Sequence, residues 1–164
     1  MLISSELAKA INTQIGNEFG ASMQYLSIAA HFQTQKLMLL SKLFFEQAEE
    51  EKTHAMKFVH YILDTQAELQ IPAIAAPKPK FASAEEAVKA ALAWETEVTG
   101  QINALMDLAV SQNDYLAQNF LQWFIDEQLE EINKMDQLLN VIQRAGEKNL
   151  LMVEAYLIHA EKAG

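Results

Sequence analysis

Cysteine is absent from the 164-residue chain. That excludes disulfides, thiolate metal sites and cysteine nucleophiles, and it suits the reducing cytoplasm, where the protein is expected. Long apolar runs are absent too. Hydrophobic residues make up 51% of the sequence, yet no run approaches the roughly 18 residues of a membrane span. The first twenty residues carry Glu6, Lys9, Asn12, Gln14 and Glu18, so they hold no apolar core of a secretory signal. Positive charge is scarce: 12 basic residues stand against 22 acidic ones, for a net charge of −10. Such a chain repels phosphate, so neither a nucleic acid nor a membrane is an expected partner. The acidity suits attraction of metal cations, or plain solubility.

Proline and glycine are also scarce, and their positions organise the chain. Pro72, Pro77 and Pro79 are the only prolines. The length fits one domain, 1–164, with a sizeable core. Apolar periodicity predicts helices over about Ser5–Phe32, Lys36–Gln66, Ser83–Val110 and Asp114–Ala145, and a short fifth over Lys148–Ala160. Ser83-Ala84-Glu85-Glu86 reads as a capping box and Gly146 as a helix stop. Short links near Thr34 and at 111–113 make antiparallel pairs. The link 67–82 is longer. A helix of ~28 residues is ~42 Å long, and ~16 extended residues reach up to ~55 Å. That link can therefore cross the whole bundle, held extended by its prolines, and make the second and third helices parallel. The expected fold class is all-α: a four-helix bundle with one long crossover, the ferritin-like arrangement, and a short fifth C-terminal helix.

Heptad spacing gives an inward stripe for each long helix. The stripes are Leu7, Ile11, Ile15, Glu18, Ser22, Tyr25, Ala29, Phe32; Leu40, Phe44, Gln47, Glu51, His54, Phe58, Tyr61; Val88, Leu92, Glu95, Thr99, Ile102, Met106; and Leu121, Phe124, Gln128, Glu131, Met135, Leu138, Ile142. Near its middle each stripe presents one carboxylate: Glu18, Glu51, Glu95 or Glu131. His54 follows Glu51 by three residues and shares its face. Burying four carboxylates without counter-charge costs several kcal/mol each, so the pattern calls for cations. The stripes carry no Lys or Arg at that depth, and shared protons neutralise one or two acids rather than four. Oxygen donors with one imidazole suit first-row metals. Glutamates from separate helices plus a Glu-x-x-His form a di-iron pattern. Glu18, Glu51 and His54 are assigned to one iron, and Glu51, Glu95 and Glu131 to the other, with Glu51 bridging. Tyr25 is placed to hydrogen-bond a ligand, and Gln128 to orient ligand or dioxygen. A lone Glu-x-x-His is commonly a surface pair; the argument lies in the convergence of four stripes. The competing reading sets the registers differently and puts the carboxylates on the surface.

With these motifs in view, the chain resembles the bacterial non-haem ferritins. Glu50-Glu51-Lys52-Thr53-His54 is similar to their ligand motif on the second helix. Asn119-Phe120-Leu121-Gln122-Trp123-Phe124, followed by Glu127-Gln128 and Glu130-Glu131, is similar to their fourth-helix segment. Glu18 with Tyr25, and Glu95 in Trp94-Glu95-Thr96-Glu97, fall at matching positions. The resemblance implies a homo-oligomeric shell of 24 subunits. It implies a ferroxidase that oxidises Fe(II) with dioxygen or hydrogen peroxide and stores Fe(III) as a hydrated oxide. It also implies a third iron site at Glu50, Glu127, Glu130 and the shared Glu131. Bacterioferritins differ in two ways. They carry a second Glu-x-x-His on the fourth helix, where this chain has Lys134, and a haem-ligating methionine where it has Lys52. No haem is therefore expected. His31 and His60 read as ordinary residues, His159 as a surface residue with a place facing a shell channel as the alternative, the methionines as core, and Trp123 as a packing residue beside the site with electron donation as the alternative. Two rivals stay open: another di-iron or di-manganese enzyme in a small oligomer, and a metal-free structural bundle.

Overall fold

The Ser4 hydroxyl accepts a hydrogen bond from Leu7 N at 3.0 Å and opens α1, Ser5–Thr34. In the computed structural model, which describes residues 1–163, this helix is followed by α2 (Met38–Asp64), α3 (Ala84–Ser111) and α4 (Tyr115–Ala145). A single 3-10 turn at Glu147–Asn149 leads into α5 (Leu150–Ala163). Ser83 and Asp114 cap α3 and α4 by accepting from Glu86 N and Ala117 N. The capping box at Ser83 is shifted by one residue, because the Glu86 carboxylate reaches back to Ala82 N rather than to Ser83 N.

Three of the long helices stop in one way. Lys36, Gln66 and Asn113 take positive φ of 62°, 59° and 54°. The amides that follow turn back onto the helix: Leu37 N donates to Phe32 O, Ala67 N to Ile62 O and Asp114 N to Ala109 O. These are Schellman closures built without glycine. They end α2 two residues before the expected Gln66 and carry α1 two residues past the expected Phe32.

The helices α1 and α2 pair, α3 and α4 pair, and α1 packs on α3. The crossover runs along α1. Asn12 Nδ2 donates to Glu68 O at 2.9 Å, Gln70 N donates to Asn12 Oδ1 at 2.9 Å, and further along Lys78 N donates to Gln24 Oε1 at 2.9 Å. The link thus spans the bundle and makes α2 and α3 parallel, as its length predicts. Gly16 is needed for this approach, since a Cβ there would overlap the Pro72 ring.

Two apolar cores fill the bundle. One holds Tyr25, Phe32, Phe44, Val88 and Met135 and is closed by Leu150 and Val153 of α5. The other holds Leu7, Ile15, Phe58, Ile102 and Phe124. The inward stripes of α1, α2 and α4 are buried along their whole predicted length. That of α3 is rotated. Leu92, Thr99 and Met106 are only half-buried, and the core face is Ala84, Ala87, Val88, Ala91, Glu95, Val98, Ile102, Leu105 and Ala109. The small alanines on this face let α3 approach its neighbours closely, whereas ranking positions by side-chain size favours the flanking Leu92 and Met106.

The fifth helix is tethered by two carboxylates. Glu154 accepts from Leu39 N at 2.8 Å and Leu40 N at 2.9 Å. It supplies the cap that α2 lacks, because Leu37 has no side chain able to provide one. Glu147 accepts from Ala84 N and Glu85 N at the start of α3. Both anions sit at helix N-termini, where the backbone dipole and free N–H groups favour them.

Candidate metal centre

Between the two apolar cores lies a polar layer. Glu18, Glu51, His54, Glu95 and Glu131 are each no more than 2% exposed there. Every helix of the four-helix bundle supplies a carboxylate, as the stripes require. Ligand atoms of Glu18, Glu51 and His54 lie within 4.8 Å of one another, and so do those of Glu51, Glu95 and Glu131. Glu51 belongs to both groups, the position expected of a bridging ligand.

Three glutamines hold the carboxylates from behind. Gln14 Nε2 donates to Glu18 Oε1 at 2.7 Å, and Asn17 in turn donates to the Gln14 carbonyl oxygen. Gln47 Nε2 donates to Glu131 Oε2 at 2.6 Å and to Glu51 Oε1 at 3.2 Å. Gln128 Nε2 donates to Glu95 Oε2 at 3.1 Å, so this glutamine serves α3 and not the Glu131 one turn away on its own helix. The Tyr25 hydroxyl donates to Glu95 Oε1. Each amide or phenol gives its proton to a carboxylate oxygen, which fixes the carboxylate while leaving lone pairs facing inward.

Glu18 Oε2 accepts no well-aligned hydrogen bond among the described residues, and His54 Nδ1 meets Glu51 Oε2 only in poor hydrogen-bond geometry. Buried polar atoms are normally satisfied, and an oxygen and an imidazole nitrogen turned into one cluster are suited to ligate a cation. The His54 ring touches both sides of the layer. Nδ1 is 3.3 Å from Glu51 Oε2, and Nε2 is 3.8 Å from Glu127 Oε1.

The electrostatics give the same picture. Burial, then the neighbouring Glu51 charge, pushes Glu18 well above the usual carboxylate range. Burial and Glu51 raise Glu95 to about 8, and burial raises Glu131 to about 7 against the lowering pull of Lys134. Burial alone would lower His54, but the adjacent Glu51, Glu18 and Glu127 outweigh it and raise it to about 9. Without metal, the cluster relieves its own repulsion by holding protons.

On the flank, Glu50, His54 and Glu127 bring ligand atoms within 4.8 Å of one another. Glu50 and Glu127 are half-buried, and Glu130 is exposed and outside that group. The four residues expected for a third iron are thus brought to one side of the bundle, with Glu50 and Glu127 meeting at His54 and not around Glu131. Sequence reasoning gave Gln47 no role and overlooked Gln14; both sit four residues before the carboxylate they support, a spacing that was readable. It met Lys134 only as the residue standing in place of a second Glu-x-x-His, whereas its Nζ donates to Gln47 Oε1 at 2.6 Å and lies 3.6 Å from Glu50 Oε2. Trp123 is 39% exposed, with its ring edge-on to His54 at 5.4 Å and Lys57 Nζ 4.2 Å from its own ring centre. A cleft of about 270 Å³ opens beside it, lined by Lys57, His60, Asp64 and Phe120 among others. His159 is exposed and His31 half-buried, neither near the cluster.

Known proteins share this architecture. The Ferritin-like domain family matches residues 8–145. The chain is 41% identical over 147 residues to Ferritin BfrB of Mycolicibacterium smegmatis, covering 90% of this chain and 81% of that one. It is 34% identical over 146 residues to a bacterial non-heme ferritin of Staphylococcus aureus, covering 89% and 88%. Among solved structures, an open pore ferritin from Archaeoglobus fulgidus superposes with a TM-score of 0.91 at 29% identity, over 94% of this chain and 97% of that one. A family match running from the first turn of α1 to the last residue of α4 takes in every helix that contributes a carboxylate, and the chain belongs to the ferritin family.

Proposed function

We propose that the protein is an iron-storage ferritin. In this reading it oxidises Fe(II) at an intra-subunit di-iron centre and keeps the Fe(III) as a ferric oxide inside a shell of 24 subunits. The observation that carries the reading is the buried layer of four carboxylates and one histidine, whose ligand atoms fall into two groups sharing Glu51. Iron is the substrate. One Fe(II) is held by Glu18, Glu51 and His54, the other by Glu51, Glu95 and Glu131. Together they give two electrons to dioxygen, which with two protons leaves as hydrogen peroxide; peroxide is the alternative oxidant. Protons held by the empty cluster are released as metal binds.

The chain's own part is positioning and charge. Gln14, Gln47 and Gln128 hold the carboxylates in orientation, and Tyr25 steadies Glu95. The two apolar cores keep bulk water from both ends of the layer. Glu50, Glu127 and Glu130, with the shared Glu131, form the flank through which a further iron passes. No haem has a role in this reading, since Lys52 stands where bacterioferritins place the haem-ligating methionine.

The test is anaerobic Fe(II) loading of the apo-protein, mixing with dioxygen, and absorbance in the near-UV against a Glu51→Ala variant. A fast rise that saturates near two Fe(II) per subunit and is at least about tenfold slower in the variant supports the reading. Equal slow rates in both overturn it. Light scattering is the companion measurement: a particle of roughly 440 kDa fits 24 chains of 18.4 kDa, and a small oligomer favours a different di-iron enzyme.

A further inference from the structure

The cluster of acids is not without a cation of its own. Lys134 stands on α4 three residues after Glu131, with a side chain 42% exposed. Its ammonium donates to Gln47 Oε1 at 2.6 Å and lies 3.6 Å from Glu50 Oε2. Gln47 is fully buried. Because its carbonyl oxygen is taken by Lys134, its amide N–H groups must face Glu131 and Glu51, and they do so at 2.6 Å and 3.2 Å. The other charged groups on this flank are Glu127, which meets His54 Nε2 at 3.8 Å, and Glu130, whose charge acts on Glu127. Lys134 is the cation paired with the flank's Glu50, and among the described residues no other Lys or Arg pairs with the flank or the buried layer.

We propose that Lys134 is a tethered counter-ion and positioning residue. It occupies the flank in place of a resident third metal, and through Gln47 it fixes the orientation of the carboxylates that hold the second iron. The inference rests on the proposed di-iron function and deepens it. An ammonium beside Glu50 repels a divalent ion approaching Glu50 and Glu127, so the flank passes ions without retaining them. Removing the charge has two consequences. The flank gains affinity for a divalent cation, on the order of tenfold for one half-exposed charge at this range. The Gln47 amide also loses the donor that prevents it from turning its oxygen toward Glu131 and Glu51.

The experiment is calorimetric titration of the assembled apo-protein with Zn(II), repeated anaerobically with Fe(II), for wild type, Lys134→Met and Lys134→Arg. Met keeps the length of the side chain and drops the charge; Arg keeps the charge. The expected result is two tight sites per subunit in wild type and in Lys134→Arg. Lys134→Met should gain a third site, weakened again by added Glu50→Gln, and its second site should weaken. Two unchanged sites in Lys134→Met overturn the counter-ion role while leaving the di-iron reading intact. Three tight sites already present in wild type overturn it as well. No tight site in wild type defeats both readings. The half-exposed position of Lys134 makes misfolding of the variants a separable matter, checked by the melting temperature of the metal-free protein.

Discussion

Glu18 is the carboxylate least supported by its surroundings. Gln14 satisfies one oxygen, and the other has no partner and faces Glu51 and His54. Glu18→Gln keeps the shape and replaces that orphaned oxygen with an N–H donor. In the metal-free protein the change supplies permanently the donor that the acid provides only while protonated, and should stabilise the fold, by about 1–2 kcal/mol at alkaline pH. The same substitution removes a charge from the first of the two proposed metal sites and should weaken it. Urea melts of the apo-protein, paired with Zn(II) titration, check both halves. An apo variant less stable than wild type would mean that Glu18 is satisfied by some contact other than a cation. At this scale the sequence showed the acids plainly, because a charge on an apolar stripe is conspicuous. It named Tyr25 and Gln128 beside them and passed over their other supports. Glutamine at 14 or 47 is unremarkable in a list of residues, and Lys134 was noticed only as a missing histidine. What each does depends on a partner on the same or another helix, which periodicity does not report.

At the scale of elements, the four long helices and the crossover were legible, with ends within two residues of those observed, but the way three of the helices stop was not. Glycine signals a helix stop, and α4 ends at Gly146 as read. The stops after α1, α2 and α3 place Lys36, Gln66 and Asn113 at positive φ, where only Asn113 is a customary choice. The α3 register was misjudged for a related reason: its core face is mostly alanine, whose burial is decided by helix proximity rather than by its own hydrophobicity. The tether on α5 was invisible, since Glu154 lies more than a hundred residues from the amides it caps. Its worth can be measured. Glu154→Ala leaves the α2 N-terminus without any side-chain cap and frees α5 at one end, and should cost about 1–2 kcal/mol. Glu154→Gln, which keeps an acceptor and drops the charge, should cost less. Hydrogen exchange should show Leu39, Leu40 and the α5 amides losing protection in the alanine variant, while Phe58 and Phe124 in the far core keep theirs. Uniform loss across all helices would mean that α5 is integral to global folding and not a tethered appendage.

The whole molecule carries the strain of its buried acidic layer, and pH reveals it. In the folded apo-protein Glu95 is raised to about 8 and Glu131 to about 7, both above the ordinary carboxylate value of 4.5, chiefly by burial. Between those limits the folded chain binds more protons than the unfolded one, so stability falls as pH rises through the window. His54 acts in the same direction. Raised from 6.5 to about 9, it contributes stability that is complete below pH 6.5 and lost as pH climbs past 9. Glu18, also raised, acts in the same direction, and the groups titrate together as one cluster. The metal-free protein should therefore be markedly more stable near pH 5.5 than near pH 9, by an amount on the order of several kcal/mol. Bound Zn(II) removes the reason. Its ligands are deprotonated in the folded state at every pH where it binds, and its charge replaces the protons that the empty cluster held. The loaded protein should reverse the slope across pH 6–8, because metal binding itself strengthens as protons leave the ligands. Melting temperatures of apo and zinc-loaded protein, taken across pH 5.5–9, give two curves that diverge with rising pH if the buried acids form the metal layer. Parallel curves would place these carboxylates in water, where neither burial nor metal governs their protons.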